Sequence, residues 1–349
     1  MTRESIPMKK IASLALSAVL AAAGLALGAE PLKLAGRTEL PEYTGDFDHF
    51  GVDLAGNRLF LAGEDGGTLE VFDLKGGKRV KTVKGFDAPH AIHFMPGSNR
   101  LIVTDSGDGM SKIVDGKTYA VIDTVKLTPG ADVMSYDASR KRLWIVTGGK
   151  NASAKLQEVT VSEVDPATGK RVGDFTFDTD FTEAIAFEQK GNRAFVNVSG
   201  KHYVAVVDKA TRKVIAKWPV KEGENNAPMA LDEAGKRLFV VTRKPFRLVV
   251  IDTDTGQSVA SFEAPKRTNE LIFDAANKRL YLAGDDYIAV FGQKGAAGYE
   301  EIARVPSAHG AKTAILVPEA KRLFVAVSPG DGKTGGAVLR YDVMPNAAP

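Results

Sequence analysis

Short apolar runs rich in Val, Ile, Leu and Phe recur along the chain, each bounded by Gly, Asp or Asn. That pattern predicts strands rather than helices. The stretch from residue 229 to 262 shows the unit in full. Met229 to Asp232 reads as one strand, the Glu233-Ala234-Gly235 turn follows, and Arg237 to Val241 reads as the second. Leu248 to Asp252 is the third, Thr253 to Gly256 turns the chain, and the more polar Ser258 to Phe262 is the fourth.

The second strand of each unit opens on an arginine followed by an apolar pair. Arg58, Arg100, Arg142, Arg193, Arg237, Arg279 and Arg322 mark seven such units, spaced 42, 42, 51, 44, 42 and 43 residues apart. A period of that length built from short strands predicts an all-β, seven-bladed β-propeller with four strands per blade. Residues 30–345 make up the propeller and 346–349 a short tail. The last unit stops after its third strand, whereas Leu34 to Leu40 matches the fourth strand of the others. Pairing the two extremities closes the ring and removes two exposed sheet edges. The third strands end on Asp73, Asp115, Asp165, Asp208, Asp252 and Asp342, with Gly292 in the sixth unit, and a turn-initiating Asp accounts for the repetition.

Upstream, Met8-Lys9-Lys10, the apolar run Ile11 to Leu27, and then Gly28 and Ala29 have the zones of a secretory signal peptide over residues 1–29. A periplasmic, secreted protein with no membrane span after cleavage is therefore expected. The chain has no cysteine, which excludes disulfides, thiolate catalysis and cysteine metal ligands. Its formal net charge is only +3, and this falls closer to neutrality without the leader, so no global pull toward nucleic acid follows.

Candidate chemistry falls in loops that depart from the repeat. The connection between second and third strands is lengthened at Gly148 to Leu156 and at Ser328 to Gly336, on the face shared with the loops leading into each first strand. Those lead-in loops carry Asp48, His49, His90, Asp132, Glu183, Asn269, Glu270 and His309, the candidate ligand-binding set. Ring closure makes the units of His309, His49 and His90 consecutive, and imidazole with carboxylate suits a transition metal. The alternative is that they are solvated loop residues or polar contacts near the channel mouth; the three histidines lie 13, 9 and 10 residues before their repeat arginines, an uneven register. A basic cluster, Arg243, Lys244, Arg247, Lys266 and Arg267, offers an anion or nucleic-acid backbone a surface, but few aromatics accompany it and acidic residues precede it. No Gly-x-Ser-x-Gly elbow is present, and the Gly-Lys-Thr triplets at 116 and 332 lack a phosphate loop's upstream Gly.

Arg100-Leu101-Ile102-Val103-Thr104-Asp105, Arg142 to Gly148 and Arg237 to Thr242 resemble the YVTN β-propeller repeat family, especially its YncE-like periplasmic members. The resemblance spans residues 32 to 344, although no unit spells the four-letter motif intact. It implies an extracytoplasmic ligand-binding or scaffold protein, and some members bind DNA. Asp165 to Lys170 is also similar to the quinoprotein dehydrogenase repeat, but with only Trp144 and Trp218 in the chain a quinone cofactor is not expected. Three functions stay open: a non-catalytic binding or scaffold propeller that takes a protein or small ligand on its loop-rich face, a metal-dependent enzyme or metal-handling protein, and an anion or DNA binder.

Overall fold

The computed structural model describes residues 30–107, 109–295 and 298–346. The leader-like segment, residues 1–29, lies outside the described residues. Seven four-stranded antiparallel sheets form the blades of a β-propeller. Each of the first six is a meander in which consecutive strands pair, as in Phe50–Asp53, Arg58–Gly63, Thr68–Asp73 and Arg79–Lys84 of blade one. No described helix is long and apolar enough to cross a membrane.

Blade seven is composite. Ala311–Val317, Arg322–Val327 and Gly330–Val343 come from the C-terminal region, and Leu32–Gly45 completes the sheet from the other extremity. Its register runs from Leu32 opposite Val343 through Glu39 opposite Ala337 to Gly45 opposite Gly330. The closing pair is longer than the sequence pattern indicates. Ser328 to Gly336, expected to be a loop, is mostly strand, because the extended N-terminal partner supplies backbone groups for it to pair with.

Apolar side chains on both faces of each sheet pack against the neighbouring sheets. The core is consequently a circle of clusters between blades rather than one central mass. Phe60, Val71 and Leu101 join blades one and two, Trp144, Val161 and Val196 join three and four, and Leu40, Leu59 and Phe324 join seven and one. Four of the seven repeat arginines tie blades together on the side away from the lead-in loops. Arg58 Nη2 donates to Asn99 Oδ1 at 2.9 Å, Arg193 Nη1 to Thr253 O at 2.6 Å, Arg279 Nη1 to Met344 O at 2.5 Å and Arg322 Nη1 to Lys75 O at 2.5 Å. Arg142 and Arg237 instead pair within their own blades, with Asp165 at 3.5 Å and Asp252 at 2.7 Å, so the recurrent side chain serves the strand-end turn as well as assembly of the ring. The repeated aspartates close turns: Asp208 Oδ1 accepts from the Thr211 amide at 2.7 Å, and Asp115 Oδ1 from the Thr118 amide at 2.7 Å.

Candidate functional site at the channel mouth

Polar residues at the ends of the second strands hold the lead-in loops in place. Asp105 accepts from the amides of Asp87 and Ala88, both at 3.0 Å. Buried Thr104 accepts from the Ala91 amide at 2.8 Å and donates to Asp132 O at 2.8 Å. Asp48 N donates to Ala62 O at 2.9 Å and His49 N to His90 O at 3.0 Å, which fixes two histidine backbones against each other. The backbone at these positions is thereby held in place.

The side chains converge on a polar cavity of about 200 Å³ at the mouth of the central channel. Asp48, His49, His90, Asp132, Glu183 and Asn269, expected from the sequence, all line it. Glu270 joins through His49, whose Nδ1 lies 3.3 Å from Glu270 Oε2. His90 Nδ1 lies 2.8 Å from Asp48 Oδ2 and 3.5 Å from Asp132 Oδ1. Asn269 Nδ2 reaches Asp48 Oδ1 at 3.4 Å across the channel.

Five further residues, none singled out by the sequence pattern, face the same cavity: Glu64, Lys150, Asn151, Phe181 and Lys312. Lys150 and Asn151 come from the short 3-10 helix Gly149–Asn151 inside the lengthened connection of blade three. Asn151 donates to Asp132, and Lys150 Nζ sits 3.0 Å from the centre of the Phe181 ring, a cation–π contact. Lys312 projects from the first strand of blade seven and pairs with Asp46 at 2.6 Å.

His309 stays outside this group. Its side chain is 75% exposed and faces Asp286 at 3.6 Å and Asp285 at 3.9 Å. The three-histidine grouping suggested by blade adjacency does not assemble, because the longer lead-in of blade seven carries His309 away from the axis. Among the described residues, the grouping with metal-ligating geometry is Asp48, Glu64 and His90.

The basic cluster divides in the same way. Arg243 turns inward, with Nη1 3.2 Å from Glu183 Oε1 and Nη2 donating to Asn269 Oδ1 at 2.6 Å. Arg267 reaches over to Asp46 at 3.5 Å, Arg247 donates to Ser261 Oγ at 3.0 Å, and Lys244 and Lys266 are exposed. Arg243, Arg267 and Lys312, with Phe246 and Asn269, line a recess of about 260 Å³ that adjoins the main cavity.

Acidic and basic side chains are mixed around the mouth, Lys150 of blade three and Glu270 of blade six among them. On the side of blades one to three, burial works against protonating His49 and His90, but Asp48 with Glu270, and Asp132 with Asp48, outweigh it and push each imidazole up to about 10. Burial raises Glu64 to about 7 and also pushes Asp132 and Glu183 upward. Asp48 goes the other way: although burial opposes ionisation, the imidazoles of His49 and His90 draw it down. The opposite side, blades five to seven, presents guanidinium and ammonium groups. Such a site can hold a dipolar or anionic molecule and can share protons with it.

No known family's sequence profile matches the chain. A protein described as "Uncharacterized protein YncE" from Salmonella typhimurium is 27% identical over 114 residues, covering 33% of this chain and 31% of that protein. Matched length is thus about a third of the relative. Among solved structures, a chain of the "Mitotic Checkpoint Complex" aligns over 95% of this chain and 98% of its own, with a TM-score of 0.70 at 12% identity. A chain of "Kuenenia stuttgartiensis Hydrazine Synthase" aligns over 70% and 83%, with a TM-score of 0.61 at 17% identity. These structural likenesses establish the fold alone.

Proposed function

We propose that this protein is a YncE-like, periplasmic, non-catalytic propeller that binds a small organic anion at its channel mouth. One observation carries the reading: side chains from around the ring meet in a single polar cavity, and that cavity opens into a recess walled by Arg243, Arg267, Lys312 and the Phe246 ring. Two carboxylates, Asp46 and Glu183, pair with these three cations, so the recess keeps an excess of positive charge. A carboxylate or phosphate group meets it there, an apolar portion lies against Phe246, and hydroxyl or amino groups reach the His49, His90 and Asp132 side. The repeat scaffold suits such a role, because its rigid blades hold the lead-in loops while leaving their side chains free to specify a ligand. Export rests on the leader-like sequence of residues 1–29.

Isothermal titration of the purified protein against short mono- and dicarboxylates, sugar phosphates and inorganic phosphate tests the reading. Arg267 is exposed and has only a 3.5 Å ion pair to lose, so Arg267→Ala spares the fold. It is expected to weaken the tightest anion by roughly ten-fold, the scale of one charge-assisted hydrogen bond. Wild-type affinity in the variant would remove the recess from the site.

A further inference from the structure

Glu64 differs from the other acidic residues of the mouth. Among the described residues its carboxylate has no hydrogen-bonding or ion-pairing partner, yet it is part-buried beside Asp48 and His90. Each of these three side chains offers one ligand atom, and all three atoms lie within 4.8 Å of one another. Three separate backbone segments supply them: the lead-in loop of blade one, the connection between its second and third strands, and the first strand of blade two.

We propose that Asp48, Glu64 and His90 form a binding site for a divalent first-row transition ion of the zinc or manganese type. One imidazole and two carboxylates make a nitrogen–oxygen donor set suited to such ions, and the absence of cysteine gives no thiolate to favour softer ones. His90 Nδ1 and Asp48 Oδ2 are 2.8 Å apart, close to the separation of about 3 Å between neighbouring ligands on arms of about 2.1 Å. Only Glu64 has to close in, and it leaves no partner when it does. Neighbouring groups already brace Asp48: His49 Nε2 and Asn269 Nδ2 lie 3.6 and 3.4 Å from its Oδ1. Outer contacts of this kind orient metal ligands. The three ligands lie on blades one and two, in the cavity that adjoins the anion recess of blades five to seven but outside the recess itself.

Full-length mature protein, stripped with a chelator, is titrated calorimetrically with Zn²⁺ and with Mn²⁺, and its Tm is followed with and without each ion. Expected results are one ion per chain for at least one metal, with Kd of about 10 µM or tighter, and a Tm that rises with ion concentration. Glu64→Gln weakens binding on the order of 100-fold and leaves the ion-free Tm at or above wild type. Should that variant not fold, Glu64→Asp, which draws the oxygens back by one methylene, is also expected to bind more weakly. His309→Ala and Arg267→Ala bind the ion as wild type does, and this separates the site from both the exposed histidine and the anion recess. The proposal is overturned if neither ion binds below about 1 mM, if the folded Glu64 variant keeps wild-type affinity, or if His309→Ala abolishes binding.

Discussion

Lys209 illustrates how far a single side chain can depart from its sequence context. It follows the turn-forming Asp208, where a lysine is ordinarily solvated, yet its side chain is 1% exposed and faces Asp137 at 0%. Nζ lies 3.2 Å from Asp137 Oδ2 and donates to Ser139 Oγ at 2.8 Å and Glu188 O at 2.5 Å, joining blades three and four. Lys209→Met strands the carboxylate and is expected to cost about 3–5 kcal/mol in urea unfolding, whereas pairing it with Asp137→Leu restores most of that loss. His93 is the second case. It packs on Tyr136 with ring centroids 4.6 Å apart, and burial depresses it to about 4. The unfolded chain takes up this proton near pH 6.5 and the folded chain only near 4. Its contribution is therefore constant above pH 6.5 and declines between 6.5 and 4, by at most about 1.4 kcal/mol per pH unit. His93→Phe should flatten the stability profile relative to wild type across that window, and parallel profiles would contradict the assignment. The strand place of His93 is legible in the apolar run Ala91-Ile92-His93-Phe94 around it. The place of Glu64 is not, because Gly63 to Gly67 reads simply as a turn, and only the folded ring brings it beside His90.

Elements were easier to read than side chains. Blade five follows its apolar pattern closely, with first and fourth strands at Met229–Asp232 and Ser258–Glu263, because the apolar runs and the turn residues that bound them are both written locally. The lengthened connection of blade three was visible as extra sequence, and its 3-10 turn is what delivers Lys150 and Asn151 to the mouth. Blade seven misled the pattern in two places. His309 was grouped with the other histidines on adjacency alone, although its uneven register pointed outward. The Ser328 to Gly336 segment owes its strand to a partner nearly three hundred residues away, which no local pattern encodes. That partner has a measurable worth. Deleting residues 30–41 should lower Tm by well over 10 °C and promote self-association, because it uncovers a strand edge and part of the cluster around Leu40 and Phe324. Scanning calorimetry and light scattering read both effects; a Tm within a few degrees of wild type would show that the closing strand bears little of the load.

At the scale of the molecule, the sequence specified a ring and the shared face of its lead-in loops, because both follow from a period repeated seven times. It did not specify which charges would oppose each other across the channel, since Asp48 and Asn269, or His49 and Glu270, meet only after closure. The same closure has a temporal side. Leu32–Gly45 leaves the ribosome first and its partner Gly330–Val343 last, so the circle cannot shut until translation of the whole propeller is complete. Until then the nascent polypeptide carries an unmated strand, an edge open to pairing with another chain before the final clasp.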